Sequence, residues 1–261
     1  VKISIFEAAG KCLYWSEKKI LIAGDLHLGY EDYLNERGWS FPRTQMEKTL
    51  NDFKKVFSVV GKVKKIILLG DIKHYFAGVL SHEWGDVGRL LIFFEKYLYK
   101  NGKIIIIKGN HDNILEPIIG GINKKKIKLV DFYIENDVLF VHRDFDDVIK
   151  NKKYGNKIGF VVLAHYHPAV VISDGYKKER YKCFLFGKKK FGKKMMKMII
   201  LPSFFPLIEG SDVGSGILEG KLDVSKFKVY AIGDKVYDFG RVRNLRMRGE
   251  KFENEKLESC E

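Results

Sequence analysis

Seven histidines occur in this 261-residue sequence, and six of them, His27, His74, His111, His142, His165 and His167, stand within a few residues of the end of an apolar run. The runs are KKILIAGDLH, KKIILLGDIKH, GKIIIIKGNHD, DVLFVHRD and IGFVVLAHYH. Only His82 stands apart. A single histidine is ordinarily a surface residue or a hydrogen-bonded core residue. Six at equivalent positions, in the company of Asp25, Asp71 and Asn110, require a common cause. Imidazoles, carboxylates and one neutral amide make a donor set suited to Mn²⁺, Fe²⁺ or Zn²⁺, and poorly suited to Mg²⁺ or Ca²⁺, which prefer oxygen shells. Asp25, His27, Asp71, Asn110, His142, His165 and His167 are too many ligands for one ion. Two divalent ions sharing a carboxylate and a water use them all, and such a pair turns water into a hydroxide nucleophile and neutralises charge in an in-line attack on phosphorus.

Consecutive apolar residues are expected of strands covered on both faces. The ligand crevice of an open α/β sheet lies outside the carboxyl ends of its strands, so residues scattered along the chain converge there. Between the first three runs, two segments have helical spacing. In Arg43–Val60 the apolar positions are Met46, Leu50, Phe53, Phe57 and Val60, with Thr44 and Glu47 as a capping box; in Ser81–Tyr99 they are Trp84, Val87, Leu91, Phe94 and Leu98, with Ser81 as N-cap. The alternation predicts parallel strands with right-handed crossovers. After His142 the pattern turns to strands at Val170–Ser173, Arg180–Phe186 and Met196–Leu201, and to a hairpin of Phe227–Ile232 and Lys235–Phe239 around Gly233-Asp234. The expected fold is α/β, a four-layer α/β/β/α sandwich of two mixed sheets with flanking helices. One domain over residues 1–245 is expected, followed by a polar, frayed tail at 246–261.

Composition narrows the class: 46% hydrophobic and 31% charged residues describe a folding chain, not a disordered one. No apolar run approaches the roughly 18 residues that span a bilayer, and Val1–Gly10 has no signal pattern, so the sequence reads as cytoplasmic with no membrane partner. Cys12, Cys183 and Cys260 are odd in number and widely separated, which suggests neither a disulfide framework nor a cysteine zinc site. The net charge of +14 attracts polyanions such as nucleic acid, but a lysine-rich composition throughout the chain accounts for it equally well.

The blocks D-x-H (Asp25 to His27), G-D (Gly70-Asp71), G-N-H-D (Gly109 to Asp112), the lone His142 and H-x-H (His165 to His167) resemble, in order and spacing, the calcineurin-like metallophosphoesterases. The resemblance implies that Asp25, His27 and His167 bind one metal, that Asn110, His142 and His165 bind the other, and that Asp71 bridges. It also implies that His111 protonates the leaving oxygen or stabilises the transition state, and that His74 orients His111. Two positions depart from the pattern: Ala164 stands where Gly usually precedes H-x-H, and Arg143 follows His142 where a small residue is common. Ala is compatible if its φ is negative, and Arg143 either contacts phosphate or points to solvent. Asp112 is read first as fixing a loop, and Asp144, Asp146 and Asp147 as acids at a helix start.

The strings AGDLHLGYE, GDIKHYF, AHYHPAV and LPSFFPLIEGSDV are similar to small archaeal and bacterial phosphoesterases related to SbcD-type recombination nucleases, a group that includes the ligase-associated endonuclease PdeM. That resemblance implies a Mn²⁺-dependent phosphodiesterase or nuclease without a capping domain, acting on DNA or RNA. Alternatives are a phosphodiesterase or phosphatase for a small nucleotide-like substrate, and a nucleic-acid-binding module that does no catalysis. The loop Leu28–Pro42 is expected at the rim of the site, where Tyr30, Tyr33, Trp39 and Phe41 either stack on bases or pack. Lys124–Lys126 and GKKKFGKK (187–194) are the densest basic runs, and the second either tracks a phosphate backbone or caps a solvated hairpin. No protein partner is legible.

Overall fold

The consecutive apolar residues of the runs are divided between different interiors. In the computed structural model, Leu21, Ile66, Leu68, Ile104 and Ile106 face a core shared with helices, whereas their neighbours Ile20, Ile22, Ile67, Ile105 and Ile107 face a core between two sheets. The structure describes residues 1–245 except 77, 79–80, 113, 122–124 and 174–176; the expected tail at 246–261 and Lys124 lie outside the described residues.

Among the described residues the first sheet has seven strands, arranged in space as in sequence: β1 (Lys2–Ile3), β2 (Phe6–Ala9), β3 (Cys12–Trp15), β4 (Ile20–Ala23), β5 (Val63–Leu68), β6 (Leu98–Ile107) and β7 (Ile127–Val130). Pairing is antiparallel from β1 to β4 and parallel from β4 to β7. Four helices lie along this half: α1 (Tyr30–Glu36), α2 (Gln45–Val60), α3 (Ser81–Glu95) and α4 (Glu116–Gly120). The second half contains β8 (Phe132–Glu135), β9 (Val138–Val141), α5 (Asp146–Lys150), β10 (Phe160–Leu163), β11 (Pro168–Ser173), β12 (Lys178–Phe191), β13 (Lys194–Ile200), β14 (Ser211–Asp212), the small hairpin β15 (Ile217–Leu218) and β16 (Leu222–Asp223), and the hairpin β17 (Lys228–Ile232) and β18 (Val236–Arg241). The main path of this mixed sheet runs β14-β11-β12-β13-β10-β9-β8, and β17 pairs with β12.

Leu139, Val161, Leu163, Leu185 and Ile200 face a third core, on the outside of the second sheet, with Val213, Leu218, Leu222 and Val242. The fold is therefore the expected α/β/β/α sandwich, with one qualification of substance. The outer layer over the second sheet is assembled from short pieces, namely α5, the turn at Val213–Ser215 and the β15–β16 hairpin.

Three local expectations are corrected. Thr44 and Glu47 form no capping box. The buried Glu31 of α1 supplies the cap instead, accepting the N–H of Thr44 at 2.8 Å and of Gln45 at 3.0 Å and the Thr44 hydroxyl at 2.9 Å, while Glu47 pairs with Arg89. A carboxylate from another helix does the work because it both accepts the free N–H groups and meets the positive end of the helix dipole. Ser81 is the first residue of α3, and the helix ends at Glu95, so Leu98 opens β6 opposite Val63; Trp84 is exposed. The loop expected at Leu28–Pro42 contains α1, whose buried faces carry Glu31 and Asp32 and so hide the amphipathic pattern.

Candidate metal centre

Beyond the strand ends, the loops bearing D-x-H and G-D are joined like an extension of the sheet. The N–H of Asp25 donates to Gly70 O, those of Leu26 and His27 to Asp71 O, and that of Leu28 to Ile72 O, all at 2.9–3.0 Å. The amide of Gln45 ties the same loop to α2, donating to Leu26 O at 3.2 Å and His27 O at 2.7 Å. These bonds hold backbone that is costly on its own: Asp25 (φ 54), His27 (φ 47), Asp71 (φ 50), His165 (φ 71) and His167 (φ 45) all occupy the left-handed region. For residues with a Cβ this conformation costs on the order of 1–2 kcal/mol each, and its concentration at five adjoining positions marks a site under functional constraint. Gly109 is required nearby, because a Cβ there would stand 2.2 Å from Asp71 Oδ1.

The structure brings together all seven candidate ligands, in two groups. Asp25, His27 and His167 form one, with His167 Nε2 3.5 Å from Asp25 Oδ1 and from His27 Nε2. Asp71, His142 and His165 form the other, with His142 Nε2 3.0 Å from His165 Nδ1 and 3.1 Å from Asn110 Oδ1. Oδ2 of Asp71 lies 3.7 Å from His27 Nε2 and 3.5 Å from His142 Nε2, between the groups. Asp25, His27, Asp71 and His142 are buried. Burial pushes His27 down to about 3, against the pull of Asp71 and Asp25, so its lone pair is available at neutral pH. Burial acts against charge on His142 as well, but its hydrogen bond to Asp71 and the charge of Asp25 raise it to about 9. Burial would raise Asp71, yet the hydrogen bond from His142 and the positive charge of that ring hold it below the usual carboxylate range. Two anionic carboxylates, neutral imidazoles and an amide fit borderline divalent ions, whose entry would displace the His142 proton.

His111 and His74 adjoin the first group, with a ring separation of 5.3 Å and nearly parallel planes. The link expected between them is made by backbone. Nδ1 of His111 bonds the carbonyl of His74, while the His74 ring turns its Nδ1 to Nδ1 of His27 at 3.4 Å and packs against Tyr30 and Tyr33. Burial lowers His74 to about 4. Asp112 is a loop clamp, accepting the N–H of Ile72 at 2.9 Å and of Gly109 at 3.0 Å. Asp146 and Asp147 open α5, and Asp144 pairs with Arg143.

Several supporting residues escape a sequence reading. Ser203 Oγ and the N–H of Phe205 both donate to Asp25 O at 3.0 Å, and Lys182 Nζ donates to the carbonyls of Ser203 and Phe205. The LPSFFP string is thus a brace under Asp25, legible as a motif but not as a contact. Ala164 keeps a negative φ, and its Cβ lies where a Cβ on Gly24 would clash, so the pair tolerates one methyl. Arg143 is at the mouth, NH1 3.3 Å from His165 Nε2. Tyr30 packs on Phe205 and His74, while Trp39, Phe41 and Phe76 are exposed, Phe76 edge-on to His111. The GKKKFGKK run is the tip of the β12–β13 hairpin, and the parallel register of β13 with β10 (Phe160 opposite Lys197, Leu163 opposite Ile200) puts that tip at the far end of the sheet from the candidate ligands.

Residues 18–200 match the family model of the calcineurin-like phosphoesterases, and the chain belongs to that family. It is a metallophosphoesterase, a hydrolase of phosphoester bonds that uses divalent metal ions. Among solved structures it is similar to the nuclease MPE of Pseudomonas putida (19% identity, 88% of this chain and 92% of that one, TM-score 0.59). An archaeal phosphodiesterase is also matched (17% identity, 84% and 98%, TM-score 0.34). No curated protein matches in sequence. Among the described residues no helix is long and apolar enough to cross a membrane.

Proposed function

We propose that the chain is a phosphodiesterase with two divalent ions, most simply Mn²⁺, held by Asp25, His27 and His167 on one side and by Asn110, His142 and His165 on the other, with Asp71 between. The observation that carries this reading is the position of Asp71 Oδ2 within 3.7 Å of His27 Nε2 and 3.5 Å of His142 Nε2. Ions in such a pair supply Lewis acidity toward phosphate oxygens and a water acidic enough to attack near neutral pH. The protein contributes placement. With Nδ1 of His111 committed to the His74 carbonyl, Nε2 is the nitrogen left to meet a substrate oxygen and deliver a proton to the leaving group.

Nucleic acid is the substrate we propose. The +14 net charge, the exposed ring of Phe76 beside His111 and the likeness in fold to a nuclease support it. One observation favours a small diester instead: the densest basic run projects from the opposite end of the sheet, and the cations at the mouth, Lys108 and Arg143, are paired with Glu116 and Asp144. Hydrolysis of single-stranded DNA, duplex DNA, RNA, cyclic nucleotides and an aryl phosphodiester, each with Mn²⁺ from 50 to 300 mM salt, decides between them. Nucleic-acid cleavage falling steeply with salt while the aryl diester is unaffected supports the first; turnover confined to small diesters overturns it.

A further inference from the structure

A histidine that gives one nitrogen to a metal holds its proton on the other, and that N–H needs an acceptor to fix the ring. The candidate ligands follow this rule in different ways. His142 turns Nδ1 to Leu69 O at 2.7 Å, and His27 turns Nδ1 to the His74 ring. His165 directs Nδ1 toward Nε2 of His142 at 3.0 Å, and its outward Nε2 lies 3.0 Å from Oε1 of Glu219.

Glu219 arrives from outside the sandwich core. It is the first residue of the turn between β15 and β16, where Leu218 and Leu222 are buried against the outer face of the second sheet. Its φ of 45, followed by Gly220 at φ 67, is left-handed. Among the described residues, four non-glycine residues besides the five candidate ligands share that conformation, Ser4, Lys19, Asn136 and Glu219, and of these Glu219 is the one whose side chain reaches the site. The hairpin therefore accepts backbone strain at the position that presents the carboxylate. Arg143 NH1 approaches the same nitrogen at 3.3 Å, but a guanidinium is donor-only. Once Nδ1 is given to a metal, Nε2 carries the hydrogen and can donate to Glu219 but cannot accept from Arg143.

We propose that Glu219 is a positioning residue for the second metal group. Through the His165 Nε2–H it fixes the ring and raises the basicity of Nδ1. This rests on the two-metal reading above. The test is Mn²⁺ uptake by the intact protein, followed by the electron paramagnetic resonance of free Mn²⁺, in the wild type, Glu219→Gly and Glu219→Gln. Glycine suits the left-handed turn, so that variant loses the carboxylate without added strain and should unfold at a temperature no lower than the wild type. Expected is a loss of about 10- to 100-fold in affinity for one of two Mn²⁺ equivalents, the other unchanged, with Gln, whose amide oxygen still accepts, restoring most of it. A folded Glu219→Gly protein that takes up both equivalents as the wild type does, or loses both alike, overturns the assignment of Glu219. A wild type that takes up a single ion overturns the two-metal reading itself.

Discussion

The backbone N–H of His111 donates to Oδ1 of Asp71 at 3.0 Å, leaving Oδ2 facing the two ligand groups. The carboxylate proposed to bridge and the histidine proposed to meet the leaving group are therefore parts of one structure, further tied by Asp112 through Ile72 and Gly109. Position is shared through main chain, and chemistry is left to side chains.

Replacement of His111 by Ala separates the two. The bond to Asp71 uses the backbone N–H and survives, so metal uptake is expected to be unchanged while kcat on an aryl phosphodiester falls by about 10²- to 10⁴-fold with little change in KM. Steady-state kinetics beside Mn²⁺ titration read both quantities. Full kcat in a metal-loaded variant contradicts the role of His111.

The cap on α2 makes a second prediction. Glu31→Ala strips the acceptor from the N–H groups of Thr44 and Gln45 and is expected to cost about 1–2 kcal/mol in urea unfolding, whereas Glu47→Ala, at an exposed ion pair with Arg89, stays within about 1 kcal/mol of the wild type. Equal losses in the two variants would return the cap to the local sequence.

Lys182 gives the stability a pH dependence. Burial pushes its ammonium from 10.5 down to about 7, so between those values the folded chain has shed a proton that the unfolded chain keeps. The unfolded state binds more protons there, and stability rises with pH through that window, by about 1.4 kcal/mol per pH unit at most. In Lys182→Met this contribution is gone. The difference in unfolding free energy between wild type and variant is expected to shift in favour of the wild type from pH 7 to pH 10, and a flat difference contradicts it.

What was legible in the sequence follows from what each feature depends on. The five strands show because both faces of each are covered, which forces consecutive apolar residues such as Ile104 to Ile107. The candidate ligands show because they must stand where those strands end. Glu31 and Glu219 do not show, since each acts on a partner brought near by tertiary packing, and nothing in the local pattern of α1 or of the β15–β16 turn encodes the contact. Lys188 to Lys190 stay open between two readings for a related reason: their distance from the site is set by the register of β13 on β10, which a run of charges does not reveal.

The central claim is that phosphoester hydrolysis here depends on metal held by these histidines and carboxylates. Hydrolysis of an aryl phosphodiester, measured as purified, after exhaustive chelation and after return of Mn²⁺, tests it most directly. Activity that vanishes on chelation, returns with Mn²⁺ and stays at least roughly a thousandfold lower in Asp71→Asn is the predicted result. Hydrolysis that survives chelation contradicts it.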